Sequence, residues 1–276
     1  METTPETIRD YENADQEFFN HNFDLKEEIR SYWSQRAATF DDDPSHRIEN
    51  KLGKPEWLAF IRQALDLDKV GDLNDLHALD IASGTGEMSR MLCSLGLRVT
   101  GLDFSEKMHA VAEEKLKTEK WRSLLCDAEQ LLGVEDNTYD FAVTRHLVWT
   151  LTEPVRAFNE WHRVLKPGGR LLIVDGDWFK SPSLRFRMRR WLAKFLSEPN
   201  SAPAHEKSHV KTIGKFLPYS NGLKASELKW QLKDAGFQYV KQANLSGFYK
   251  QAMRGWPLTV RLRQSSENRF ALVVEK

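Results

Sequence analysis

Two glycines, Gly84 and Gly86, stand in the turn Ser83-Gly84-Thr85-Gly86, and Asp103 follows 19 residues after Gly84. Those residue types at that spacing suit a nucleotide. Glycines let the backbone come close to a ligand, and a carboxylate's two oxygens accept hydrogen bonds from a ribose diol. A dinucleotide-dependent oxidoreductase presents much the same outline. Its fingerprint, however, needs a third Gly or Ala where this loop reads Gly86-Glu87-Met88-Ser89. A second acid, Asp127, followed by Ala128, ends a third apolar segment, where the pair could meet the edge of an adenine.

A further group lies in Val143-Thr144-Arg145-His146-Leu147-Val148-Trp149. In an open α/β sheet the carboxyl ends of the strands face the ligand crevice, which places Arg145, His146 and Trp149 near the reacting centre. His146 titrates close to working pH and is a candidate general base, although a structural hydrogen-bonding role suits it equally. Asp175, Asp177 and Trp178 end the next strand on the same edge. They are candidates for acceptor binding, or cap the following loop. The two cysteines, Cys93 and Cys126, match no zinc or redox spacing, so no metal is expected.

Periodicity supplies the elements that must hold these residues. Residues 24–40 carry Leu25, Ile29, Tyr32, Trp33 and Arg36 at helical spacing before the acidic stop Asp41-Asp42-Asp43-Pro44. A second helix is expected over 55–67, with Trp57, Phe60, Ile61, Ala64 and Leu65 on one stripe. Strands over 76–82, 98–102, 121–125, 139–144 and 170–174 then alternate with helices, which implies right-handed crossovers and a parallel sheet. After Asp175 the rhythm breaks. Residues 176–222 read as an insertion with a helix over 183–196, followed by a helix over 225–234 and strands over 237–243 and 270–275. The insertion helix bears Arg185, Arg187, Arg189, Arg190 and Lys194. It reads as an amphipathic lid with a solvated basic face, or as a source of arginines for an acidic substrate.

Acidic and basic residues balance at 40 each among 276 residues, so no global field argues for nucleic acid or an anionic membrane. No apolar run approaches the ~20 residues that span a bilayer, and residues 1–15 lack the apolar core of a signal peptide. A cytoplasmic enzyme, monomeric or a homodimer, acting on a small molecule is the expectation.

Four of these stretches, in order, resemble the motifs of one family, the class I S-adenosylmethionine (SAM)-dependent methyltransferases. They are Leu79-Asp80-Ile81-Ala82-Ser83-Gly84-Thr85-Gly86, Val99-Thr100-Gly101-Leu102-Asp103-Phe104-Ser105, Asp127-Ala128-Glu129 and Arg163-Val164-Leu165-Lys166-Pro167-Gly168-Gly169. One departure is Ala82, where the family usually has glycine. The resemblance implies an α/β fold, Rossmann-like, with a seven-stranded mostly parallel sheet and helices on both faces. Residues 1–70 would form a helical cap over the cofactor and 71–276 the methyltransferase domain, with its lid at 176–222. Asp80 would lie near the cofactor's amino group, and Ala82, Ser83 and Gly84 would line its methionine end. Asp103 would hold the ribose, Phe104 would flank the adenine, and Asp127 with Ala128 would read its amino edge. Tyr32-Trp33-Ser34-Gln35-Arg36-Ala37 resembles a stretch that covers the cofactor in some members. Arg36 there could pair with the cofactor carboxylate, or be a surface charge. The implied reaction is in-line methyl transfer to an N, O or S atom, leaving S-adenosylhomocysteine. Two rivals stand beside it: a catalytically silent protein that binds SAM or its product, and a nicotinamide-dependent oxidoreductase.

Overall fold

The computed structural model describes residues 22–43, 46–48, 53–178, 184–195, 214–243, 245–264 and 268–276. Strand β1 (His77–Ile81) is buried at all five positions, the signature of a central strand covered on both faces. It pairs in parallel with β2 (Arg98–Asp103) on one side and β4 (Tyr139–Arg145) on the other. β3 (Trp121–Leu125) adds to β2, and β5 (Leu165–Asp177) to β4, again in parallel. β7 (Asn268–Glu275) runs antiparallel to both β5 and β6 (Gln238–Ala243), giving the order β3-β2-β1-β4-β5-β7-β6. Chain order therefore reverses direction between β1 and β4, which opens a crevice beyond the carboxyl ends of those two strands.

Alternate side chains of the strands feed two cores. On one face Leu79, Ile81, Ala142, Leu171 and Ile173 meet Phe158 and Trp161 of α5 (Pro154–Val164), Leu228 and Leu232 of α7 (Ala225–Asp234), and Leu25 and Ile29 of α1, residues 22–36. On the other, Ala78, Val99, Val143 and Leu172 meet α2 (Lys54–Ala64), α3 (Glu87–Ser94) and α8 (Leu245–Ala252). α4 (Glu106–Leu116) crosses between β2 and β3, and Ser105 caps its start by accepting from Met108 N.

The expected elements recur with shifts of a few residues. β5 starts at Leu165 rather than 170, because Leu165 already pairs with Tyr139 and the register then shifts over Lys166–Gly169 before Arg170 pairs with Phe141. Two short helices that periodicity did not announce, α8 and α9 (Leu258–Gln264), lie between β6 and β7. The insertion helix is present as α6 (Leu184–Phe195), packed against α9. Its apolar residues Leu184, Met188, Trp191 and Phe195 are exposed along with Arg187. The side chains of Arg185, Arg190 and Lys194, and residues 179–183 and 196–213 of the expected lid, lie outside the described residues. Among the described residues no helix is long and apolar enough to cross a membrane, and no group of side chains forms a metal site.

Candidate functional site

The glycine turn and Asp103 meet because β1 and β2 end level, with Ile81 opposite Leu102. Ser83 N donates to Leu102 O at 2.7 Å, which folds the turn over the end of β2. Asp103 Oδ2 then accepts from Gly84 N and Oδ1 from Ser105 N, both at 2.9 Å. Burial raises the Asp103 carboxyl, opposed by these N–H donors and the nearby His109. Gly86 has φ +82°, and a Cβ there would sit 2.7 Å from Leu116 Cδ1, so the helix can start beneath the turn only with glycine. Ala82 takes φ +56°, also left-handed, which is the physical reason a glycine suits this place. Asp80 is buried and accepts from Ser89 Oγ at 2.7 Å, and burial pushes its carboxyl up to about 7.

Beside Asp103 a narrow cavity of about 40 Å³ is lined by Ala82, Leu102, Asp103, Phe104, Asp127, Ala128 and Leu147, with Lys26 and Ile29 of α1 closing it. The ends of β2 and β3 thus bring Asp103, Phe104, Asp127 and Ala128 to one place. Lys26 Nζ is 2.7 Å from both Asp127 and Glu129 and 3.7 Å from Glu153. Burial works against the ammonium, but the Glu129 and Asp127 carboxylates outweigh it and hold Lys26 above its ordinary value. Asp127 Oδ1 accepts from Glu129 N, and Ala128 O accepts from Trp161 Nε1.

On the other side of the turn, Ile81 pairs with Thr144, so Arg145 and His146 follow level with Ala82 and Ser83. His146 has φ +63° and an enclosed Nε2 with no hydrogen-bond partner among the described residues. Its ring lies 5.1 Å from Trp178 and 6.0 Å from His46. Burial, then Arg145, Arg269 and His46, push the imidazole well below its ordinary value, so it stands neutral. Arg145 donates to His46 O at 3.0 Å and lies 4.9 Å from the Trp57 ring.

The remaining expected site residues divide. Trp149 is buried against Trp33, and Asp175 is fully enclosed, accepting from Val148 N, Gly176 N and Trp178 Nε1. Asp175 thereby fixes the loop after β4 to the end of β5, and burial raises its carboxyl to about 7. Asp177 is half-buried near Gly222. Tyr32 accepts from Arg36 Nη1 at 2.9 Å, and Ser34 bonds Ser105 at 2.7 Å, which pins α1 to the end of β2. Sequence reasoning did not single out Lys26, His46, Tyr249 or Arg269. Only Glu129, inside a quoted motif, carried a local signal.

The cleft suits an adenosyl ligand. Ser83 Oγ is buried without a hydrogen-bond partner among the described residues, next to a left-handed Ala82 and the Asp103 carboxylate. The cavity beside the turn joins carboxylates, an aromatic ring and apolar walls, the mixture of groups that a nucleoside requires. Fold and cleft together are those of a nucleotide-binding α/β protein. A family model described as a methyltransferase domain matches residues 79–173. The chain is 30% identical over 190 residues to the ubiquinone/menaquinone biosynthesis C-methyltransferase of Roseobacter denitrificans, covering 65% of this chain and 73% of that protein. It is 28% identical over 220 residues to the demethylmenaquinone methyltransferase of Renibacterium salmoninarum, covering 76% and 87%. In fold it is similar to phosphoethanolamine N-methyltransferase 2 of Haemonchus contortus, at a TM-score of 0.56 and 18% identity, covering 83% of this chain and 54% of that one. The chain belongs to the class I SAM-dependent methyltransferases, and its cofactor is SAM.

Proposed function

We propose that the enzyme methylates a small, planar, conjugated acceptor bearing a hydroxyl group, of the hydroquinone type. The observation that carries this is the neutral His146, its Nε2 without a hydrogen-bond partner among the described residues and its ring edge-on to Trp178, at the strand ends beside the glycine turn. Aromatic walls suit a flat acceptor, and a neutral imidazole can take a hydroxyl proton. The relatives' names, a ubiquinone/menaquinone C-methyltransferase and demethylmenaquinone methyltransferases, support the same class and favour carbon over the N, O or S acceptor of the first expectation.

When bound, SAM would supply an electrophilic methyl carried on a sulfonium, with a neutral thioether as the leaving group. In this reading Asp103 holds the ribose hydroxyls, and Phe104, Asp127 and Ala128 flank the adenine. Ala82, Ser83 and Gly84 line the aminoacyl end, while Tyr32 and Arg36 cover it. A cavity of about 40 Å³ holds little more than one water molecule, so in this reading α1 moves aside to admit the cofactor and then closes back over it. Water exclusion and alignment then supply most of the rate.

The test is methyl transfer from radiolabelled SAM to reduced naphthoquinols and benzoquinols lacking one ring methyl, with primary amines and thiols as comparators. Labelled product from the quinols alone is expected. Transfer only to amines or thiols, or SAM binding with no turnover on any acceptor, would sink the reading.

A further inference from the structure

α6 turns an apolar stripe outward. Leu184, Met188, Trp191 and Phe195 recur at intervals of four, three and four residues. At about 100° per residue they share an arc of about 60° on the helix. All four are exposed, between 64% and 74%, and the Trp191 and Phe195 rings stack at 5.7 Å into one continuous surface. The helix packs against α9, where Leu258 adds a further apolar side chain that is 56% exposed. A patch of this kind, rimmed by polar residues, marks a surface that meets an apolar partner.

The charge around the stripe narrows the choice of partner. α6 carries Arg185, Arg187, Arg189, Arg190 and Lys194 and no acid. α9 carries Arg261 and Arg263 and no acid, and exposed Arg254 precedes it. On the helix, position 185 flanks the arc on one side and positions 187, 190 and 194 on the other. The whole chain is neutral, so this excess of positive charge is local. Trp, Phe and Leu on one face with Arg and Lys beside them suit a helix lying in a membrane interface. Its apolar face enters the boundary between headgroups and acyl chains, and its cations stay with anionic headgroups. A nucleic-acid backbone would engage the cations but leave the apolar side chains in water. Residues 197–209, next in the chain, contain no Leu, Ile, Val, Met, Phe, Tyr or Trp with which to cover the stripe.

We propose that α6, with α9 beside it, docks the enzyme on an anionic phospholipid bilayer. α6 lies along the surface, with Leu184, Met188, Trp191 and Phe195 in the headgroup–acyl boundary and the positive charge of the helix against lipid phosphates. Leu184 follows Trp178 by six residues, a reach of at most about 20 Å, and the Trp178 ring is 5.1 Å from His146. Docking therefore holds the strand-end site close to the membrane, where molecules that partition into lipid are concentrated. It is read without turnover and stands apart from the acceptor class proposed above.

The full-length protein is mixed with vesicles of phosphatidylcholine alone, or of phosphatidylcholine with phosphatidylglycerol, and partition is read by co-sedimentation. Binding to the anionic vesicles is expected to be about tenfold or more tighter than to the neutral ones, and to weaken as salt is added. Arg187→Gln should weaken it about threefold to fivefold at low salt, and Trp191→Ser combined with Phe195→Ser about tenfold or more. These side chains are exposed, so both variants should melt as the wild type does, which separates docking from folding. The proposal is overturned if the wild type ignores anionic vesicles, if neutral vesicles bind equally well, or if affinity ignores both variants. It is also overturned if a DNA duplex binds more tightly than the vesicles. A dimer seen by analytical ultracentrifugation without lipid, and dissolved by the Trp191 and Phe195 substitutions, would overturn it in favour of a second copy of the chain.

Discussion

Each oxygen of Asp103 already accepts one backbone N–H, from Gly84 and from Ser105, and keeps a lone pair for a further donor. The carboxylate therefore shapes the glycine turn and presents acceptors for two vicinal hydroxyls at once. Asp103→Ala is expected to weaken S-adenosylhomocysteine binding at least tenfold, about 1.4 kcal/mol or more, by calorimetry. Near-normal affinity would remove the ribose role. The same variant should melt earlier, because two buried N–H groups lose their acceptor at ~1–3 kcal/mol each. Ala82 and His146 share another property of the site: both hold left-handed backbone with a Cβ, at φ +56° and +63°. Strain of about 1–3 kcal/mol at each is sustained by the strand pairing on either side.

At the scale of elements, α1 is the part that decides access. Leu25 and Ile29 bury in the core beside α5, Ser34 bonds Ser105, and Lys26 sits among three carboxylates. Glu129 is the most enclosed of these, with a side-chain exposure of 5%, and it also accepts from Thr152 Oγ1. Removing the ammonium leaves that carboxylate buried without its cation. Lys26→Met should cost ~1–3 kcal/mol of stability, read by thermal or denaturant unfolding. An unchanged midpoint would mean that apolar packing alone holds the helix. α2 and α8 act on the opposite face, bringing Trp57 and Tyr249 to within 6.3 Å of each other.

For the whole molecule, buried titratable groups of opposite tendency set the response to pH. Burial takes His46 down to about 4, with Arg145 and Arg36 lowering it further and Asp43 and the Phe40 carbonyl opposing. A histidine depressed in the folded state binds its proton more readily when unfolded, between about 4 and its ordinary 6.5. Its contribution is present above that window and is lost as pH falls through it. Asp80 and Asp175, raised to about 7, act in the opposite sense, weakening the fold as pH rises from the ordinary carboxylate range towards 7. Comparison with a single variant cancels the aspartates. Chemical denaturation of His46→Gln across pH 4 to 6.5 should show a shallower loss than wild type, the difference approaching ~1.4 kcal/mol per pH unit. Parallel profiles would show that His46 titrates normally in the folded protein.

The chain by itself determined the parallel sheet, its strand positions to within a few residues, and the meeting of the glycine turn with Asp103. Those features rest on local patterns: apolar runs buried on both faces, turns that demand glycine at φ +82°, and an acid at the end of the next strand. Sequence order along a doubly wound sheet maps directly onto spatial order near the switch point, so Gly84, Asp103 and Asp127 were legible as one site. The cluster at the ends of β4 and β5 was not. Arg269 and Arg145 come from strands 124 positions apart, and His46 and Tyr249 join them from outside the sheet. The closure of the cavity beside Asp103 by Lys26 likewise joins residues 101 apart. No periodicity records such meetings; they follow from which strand edges and helix faces the packed core brings level.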